Sequence, residues 1–149
     1  MRVDFYHLEK TSLDDALPLI LEKAYETSQN VLIKVEMAER ADYLNSLLWT
    51  YKPDSFLPHG VEKDGFPEKQ PIFITHKDNF NPNNASLCVL IDSLSIPLDE
   101  RFTRILYFFD GKNPVSLQKA REEWKKVSSV GVDKFYWQQD ETGKWQNKG

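Results

Sequence analysis

Two short runs, PIFIT (residues 71–75) and SLCVLID (residues 86–92), lack the polar alternation of a half-exposed strand. Strands of this kind are buried on both faces, and the architecture that buries them is a mostly parallel sheet covered by helices on each side. The rest of the chain supplies matching elements. RVDFYHL (2–8) alternates and is rich in β-formers, VLIKVEM (31–37) reads as a second strand, RFTRILYFFDG (101–111) as a fifth that ends in a turn at Asp110 and Gly111, and KFYWQQ (134–139) as a last short one. Helical spacing falls between them. SLDDALPLILEKAYETSQN (12–30) offers Ser12 as an N-cap, but Pro18 favours a later start capped by Asp15, which would put the proline in the first turn. MAERADYLNSLLWTY (37–51) carries an apolar stripe, and PVSLQKAREEWKKVSSVG (114–131) has Pro114 at its entry and Gly131 past its exit. The stretch from Pro53 to Gln70 is read as a long ordered loop or an excursion over a sheet edge. The expectation is a single α/β domain over residues 1–149, Rossmann-like and mostly parallel, with helices on both faces.

Such a sheet invites a nucleotide-binding reading, which the first strand-to-helix turn tests. It reads HLEKTSLDDA (7–16), has no glycine, and places Asp14 and Asp15 where a pyrophosphate would sit. No glycine-rich phosphate loop occurs elsewhere. His7, His59, His76 and Cys88 lie on different elements without metal-ligand spacing, so neither a metal nor a cofactor is expected. Ser55 near His59 is a formal nucleophile and base, but no family spacing supports the pair. No run approaches the ~20 apolar residues of a membrane span, the N-terminus lacks the apolar core of a signal peptide, and the lone Cys88 cannot form an internal disulfide. These features describe a soluble cytoplasmic protein without catalytic residues.

Net charge is −4 with a pI near 5.4, which disfavours a general attraction to nucleic acid. One basic island stands out, QKAREEWKK (118–126), in which Arg121, Trp124 and Lys125 are spaced i, i+3 and i+4 and therefore share one patch of helix surface. Its two readings are a solvated face paired with Glu122 and Glu123, or a site for a small anionic partner. A second feature is LLWTYKPDSFLPHG (47–60), where Trp49 and Phe56 flank a proline-interrupted turn. Core packing and a binding role both remain open for this pair.

FYHL (5–8), SLLWTYKPDSFLPHG (46–60), FFDG (108–111), AREEWKKVSSVG (120–131) and YWQQ (136–139) together resemble the chi subunit family of bacterial DNA polymerase III, in order and over nearly the whole chain. The resemblance implies a Rossmann-like fold that has lost nucleotide binding. It also implies a non-catalytic accessory role in the clamp-loader complex, within a holoenzyme whose activity is DNA-directed DNA polymerisation. The implied partners are the acidic C-terminal tail of the single-stranded DNA-binding protein, which ends in a phenylalanine, and the psi subunit, through which the clamp loader is reached. The resemblance further implies that DNA is contacted only indirectly and that the protein joins the nucleoid through the replisome. The tail pocket carries over to Trp49, Phe56, Arg121, Trp124 and Lys125. Leu117 stands where well-known members have a lysine, so that cationic contact is lost or falls to Lys119. A guanidinium can clamp the terminal carboxylate while aromatic walls take the terminal ring. The rival readings are a nucleotide-dependent enzyme on the α/β sheet and a direct DNA-binding module using the basic helix.

Overall fold

The computed structural model describes residues 1–52, 57–98 and 101–149. Its elements in chain order are β1 (Arg2–Leu8), α1 (Leu13–Glu26), β2 (Val31–Lys34), α2 (Ala38–Thr50), β3 (Gly60–Val61), β4 (Ile72–Thr75), β5 (Leu87–Leu90), β6 (Arg104–Asp110), α3 (Pro114–Ser129), β7 (Asp133–Gln139) and β8 (Trp145–Asn147). The strands form one sheet in the order β3-β4-β2-β5-β6-β1-β7-β8. Every pairing is parallel except the terminal β7-β8 hairpin. The expected α/β architecture is therefore present.

Period-two alternation distributes the strand residues between two apolar layers. In β5, Leu87 and Val89 join the layer under α1 and α2, whereas Cys88 and Leu90 join the layer under α3. The first layer also takes Leu17 and Leu21 of α1 with Leu44 and Leu48 of α2, and the second takes Ala120 and Val127 of α3. Both apolar runs that opened the argument are thus covered on each face, which explains why they carry no polar alternation. Asp4 is the exception, a fully buried carboxylate on β1. It is satisfied by Arg104 Nε donating to Oδ2 at 2.6 Å, Arg2 Nη2 donating to Oδ1 at 2.9 Å and the Trp137 indole donating to Oδ1 at 2.8 Å. A buried charge survives only with partners of this kind.

Three local readings need correction. Helix α1 starts at Leu13, because the Ser12 side chain accepts the Asp15 N–H at 3.2 Å. Pro18 lies inside the helix and is buried, so the ring fills core at the expense of one backbone hydrogen bond to the Asp14 carbonyl. The stretch between Pro53 and Gln70 contains the two-residue strand β3, and the C-terminal tail contains β8; both are too short to show a periodicity.

Candidate functional site

Asn113 caps α3 by accepting the N–H groups of Val115 and Ser116, and Pro114 opens the first turn without needing a donor. The helix then lies across β6 and β7, and β1 runs between those two strands. A cavity of about 390 Å3 opens between them. The helix contributes Leu117, Ala120, Arg121, Trp124 and Lys125, and the strands contribute His7, Phe109 and Tyr136.

The floor of the cavity is aromatic. Trp124 meets Phe5 edge to face with ring centroids 5.1 Å apart and Tyr136 at 5.8 Å, while Phe109 lies 6.1 Å from Tyr136. His7 Nδ1 and the Tyr136 hydroxyl share a hydrogen bond of 2.6 Å. Burial raises the Tyr136 phenol above its ordinary range, an effect that the nearby Arg121 charge partly offsets and Glu9 reinforces. The rim is cationic. Arg121 and Lys125 are exposed, and neither forms an ion pair or hydrogen bond with any described residue. Lys134 adds a cation 5.0 Å over the Trp124 ring.

The structure brings Arg121, Trp124 and Lys125 together, as their spacing requires, and separates the other named residues from them. Lys119 faces away from the cavity, with Nζ 3.5 Å from Glu123 Oε2. Two residues along a helix turn the side chain by about 200°, so Lys119 cannot stand in for a cation at Leu117, which itself lines the cavity. Trp49 lies on α2, in the layer on the opposite side of the sheet, where it packs on His59 with ring centroids 4.4 Å apart. It is 51% exposed, and its helix packs in the layer across the sheet from the one that α3 and Trp124 join. Phe56 and Ser55 fall outside the described residues. His59 is turned to carbonyls, with Nδ1 2.6 Å from Leu57 O and Nε2 3.2 Å from Asn45 O.

Sequence reasoning passed over His7, Phe109 and Tyr136. A usable signal existed, because alternation along β1 puts His7 on the face of Phe5, and the FFDG and YWQQ segments supply the other two rings.

Glu123 is buried in α3 and anchors the loop before β6. It accepts the Ile96 N–H at 2.6 Å and pairs with Lys126 at 2.9 Å. Burial alone would raise its carboxyl, but the Ile96 N–H and the two lysines outweigh that and hold it below the ordinary carboxylate value. This leaves Lys119 and Lys126 committed to structure and Arg121 and Lys125 available.

Elsewhere, the turn after β1 presents Asp14 at the start of α1, where the Tyr43 hydroxyl bonds it. Among the described residues, no group of three or more His, Cys, Asp or Glu is placed to hold a metal ion. No helix among the described residues is long and apolar enough to cross a membrane.

The arrangement defines an α/β protein with a cavity of cationic rim and aromatic floor beside one helix. The family model described as "DNA polymerase III chi subunit, HolC" matches residues 1–134. A similar protein is the "Probable DNA polymerase III subunit chi" of Rickettsia prowazekii (strain Madrid E), 37% identical over 91 residues, which are 61% of this chain and 54% of that protein. The chain thus spans about half the length of that relative. The protein belongs to the DNA polymerase III chi subunit family, a family of accessory subunits in DNA replication.

Proposed function

We propose that the protein is a non-catalytic adaptor that holds the acidic C-terminal tail of the single-stranded DNA-binding protein and links it to the polymerase assembly, reaching the clamp loader through a psi-type partner. The observation that carries this reading is the pairing of two unengaged cations, Arg121 and Lys125, with the apolar walls of Trp124, Phe109 and Tyr136 around one cavity. An acidic peptide ending in phenylalanine has the complementary chemistry. Its terminal carboxylate suits the Arg121 fork, its upstream aspartates suit Lys125, and its ring suits the aromatic floor. The cavity is within the size range of ligand sites. A direct DNA-binding role for α3 is disfavoured, because Lys119 and Lys126 are tied to Glu123 and only two of the four cations remain.

The test is a titration with a synthetic acidic peptide ending in Asp-Ile-Pro-Phe, followed by tryptophan fluorescence. Arg121→Ala is expected to weaken binding roughly ten- to a hundredfold, which corresponds to about 1.5–3 kcal/mol for a charge-assisted contact. Unchanged binding in Arg121→Ala would remove the tail from this cavity.

A further inference from the structure

A second cavity, of about 440 Å3, lies on the other face of the sheet, between the C-terminal half of α1 and the β7-β8 hairpin. We propose that it is a binding site for a nucleoside monophosphate group, either as a free nucleotide or as the phosphorylated end of a single strand, with the phosphate on the arginine rim and the base against the aromatic wall.

The rim is built around the buried Asp4. Arg104 and Arg2 both turn to its carboxylate, at 2.6 Å and 2.9 Å, and both stay substantially exposed, at 38% and 40% of the side chain. One carboxylate offsets only one of the two charges. Arg104 has one further contact, Nη2 to the Tyr6 hydroxyl at 3.4 Å, which leaves its outer donors open to the cavity. Lys23, in the last turn of α1, adds a third cation to the lining, and none of the described residues that line the cavity is acidic. A fixed guanidinium fork is the group that matches phosphate geometry.

The wall is planar and aromatic. Tyr6 itself is buried, its ring stacked on Phe108 at 4.8 Å and on Trp137 at 6.2 Å, so the rings partly open to the cavity are Trp137 and Trp145, the latter meeting Tyr6 edge on at 5.1 Å. Rings of this kind stack on any base. The Gln29 side chain also lines the space, with donor and acceptor atoms that can meet a base edge. A peptide fits less well. The strands beneath the cavity, β5, β6, β1 and β7, are each paired on both sides, so no backbone edge is open for strand addition. The mode differs from a glycine-rich cradle, since the donors are side chains and the cavity lies at the strand ends opposite the turn after β1. Trp137 and Trp145 lie beyond the residues matched by the family model.

The experiment titrates the full chain with thymidine 5′-monophosphate, thymidine, inorganic phosphate, and trithymidylate with and without a 5′-phosphate, read by calorimetry and tryptophan fluorescence. Thymidine 5′-monophosphate is expected to bind at least about tenfold more tightly than thymidine or phosphate alone, because both halves of the site are then engaged. Tighter binding of the phosphorylated strand identifies a strand end as the ligand, and equal binding identifies the free nucleotide. Arg104→Lys, which keeps a cation opposite Asp4, should weaken the nucleotide about tenfold, and the surface change Lys23→Glu about fivefold. Nucleotide and nucleoside binding alike, no binding of either at millimolar concentration, wild-type affinity in both variants, or displacement of the nucleotide by the acidic tail peptide would each overturn the proposal.

Discussion

Gly111 backs against the imidazole of His7 so closely that a Cβ at residue 111 would lie 1.9 Å from His7 Nε2. The contact joins the end of β6 to the end of β1, where the Gly111 N–H donates to the Leu8 carbonyl at 2.7 Å. His7 is held from its other side by Tyr136, so its ring has little room to yield. Gly111→Ala is therefore expected to destabilise the fold by about 1–3 kcal/mol, the cost typical of an overpacked site. The same substitution should weaken the acidic peptide if the peptide occupies the α3 cavity as proposed, because His7 lines that cavity. Denaturant unfolding and the peptide titration check the two effects, and wild-type values in both would mean that His7 is free to turn aside.

Lys119 and Glu9 test the electrostatics of the α3 cavity from opposite directions. Lys119 is turned to Glu123, so Lys119→Ala should leave peptide affinity within about twofold of wild type. Glu9 carries its carboxylate 3.8 Å from His7 Nε2, close enough to oppose an acidic ligand. Glu9→Gln should raise affinity about two- to threefold at low salt, with the gain fading as ionic strength rises. Loss of affinity in Lys119→Ala would restore it to the site.

How far the cavity could be read from the sequence depended on whether its parts were local. The i, i+3, i+4 spacing of Arg121, Trp124 and Lys125 is a property of one helix and survives unchanged into the structure. The two-sided burial of β4 and β5 was equally local, because a strand with no polar face must be covered twice. His7, Phe109 and Tyr136 come from three strands, and only the order β6-β1-β7 makes them neighbours. Trp49 shows the converse. Its place beside a proline-rich turn suggested a site, but nothing local states which face of the sheet a helix will cover. Asp4 sat in an alternating strand as an ordinary polar position, and its two arginines are brought to it by pairing β1 with β6 and by its own strand.

The depressed Glu123 carboxyl sets a pH window. Because its folded value lies below the ordinary one of about 4.5, its bonds contribute stability that is complete above that value and is lost as pH falls through the depressed folded value. The stability difference between wild type and Glu123→Gln is therefore expected to be constant from neutral pH down to about 4.5 and to shrink below it. Urea unfolding midpoints between about pH 3 and 7 measure the difference. A gap that grows on acidification would contradict the assigned direction.

Trp49 supplies the last expectation, because its two possible roles predict opposite pairs of results. It is half exposed on α2 and packs on His59, whose ring is anchored by the carbonyls of Leu57 and Asn45. A fully buried tryptophan costs about 3–5 kcal/mol on truncation to alanine, and one that buries about half its surface should cost about 1–2 kcal/mol. Since the sheet stands between Trp49 and the α3 cavity, Trp49→Ala should leave affinity for the acidic peptide unchanged. Thermal unfolding and the peptide titration on the same variant decide the matter. A peptide affinity that falls with Trp49→Ala while the fold remains intact would mean that the tail reaches around the sheet to α2, and the α3 cavity alone would no longer account for binding.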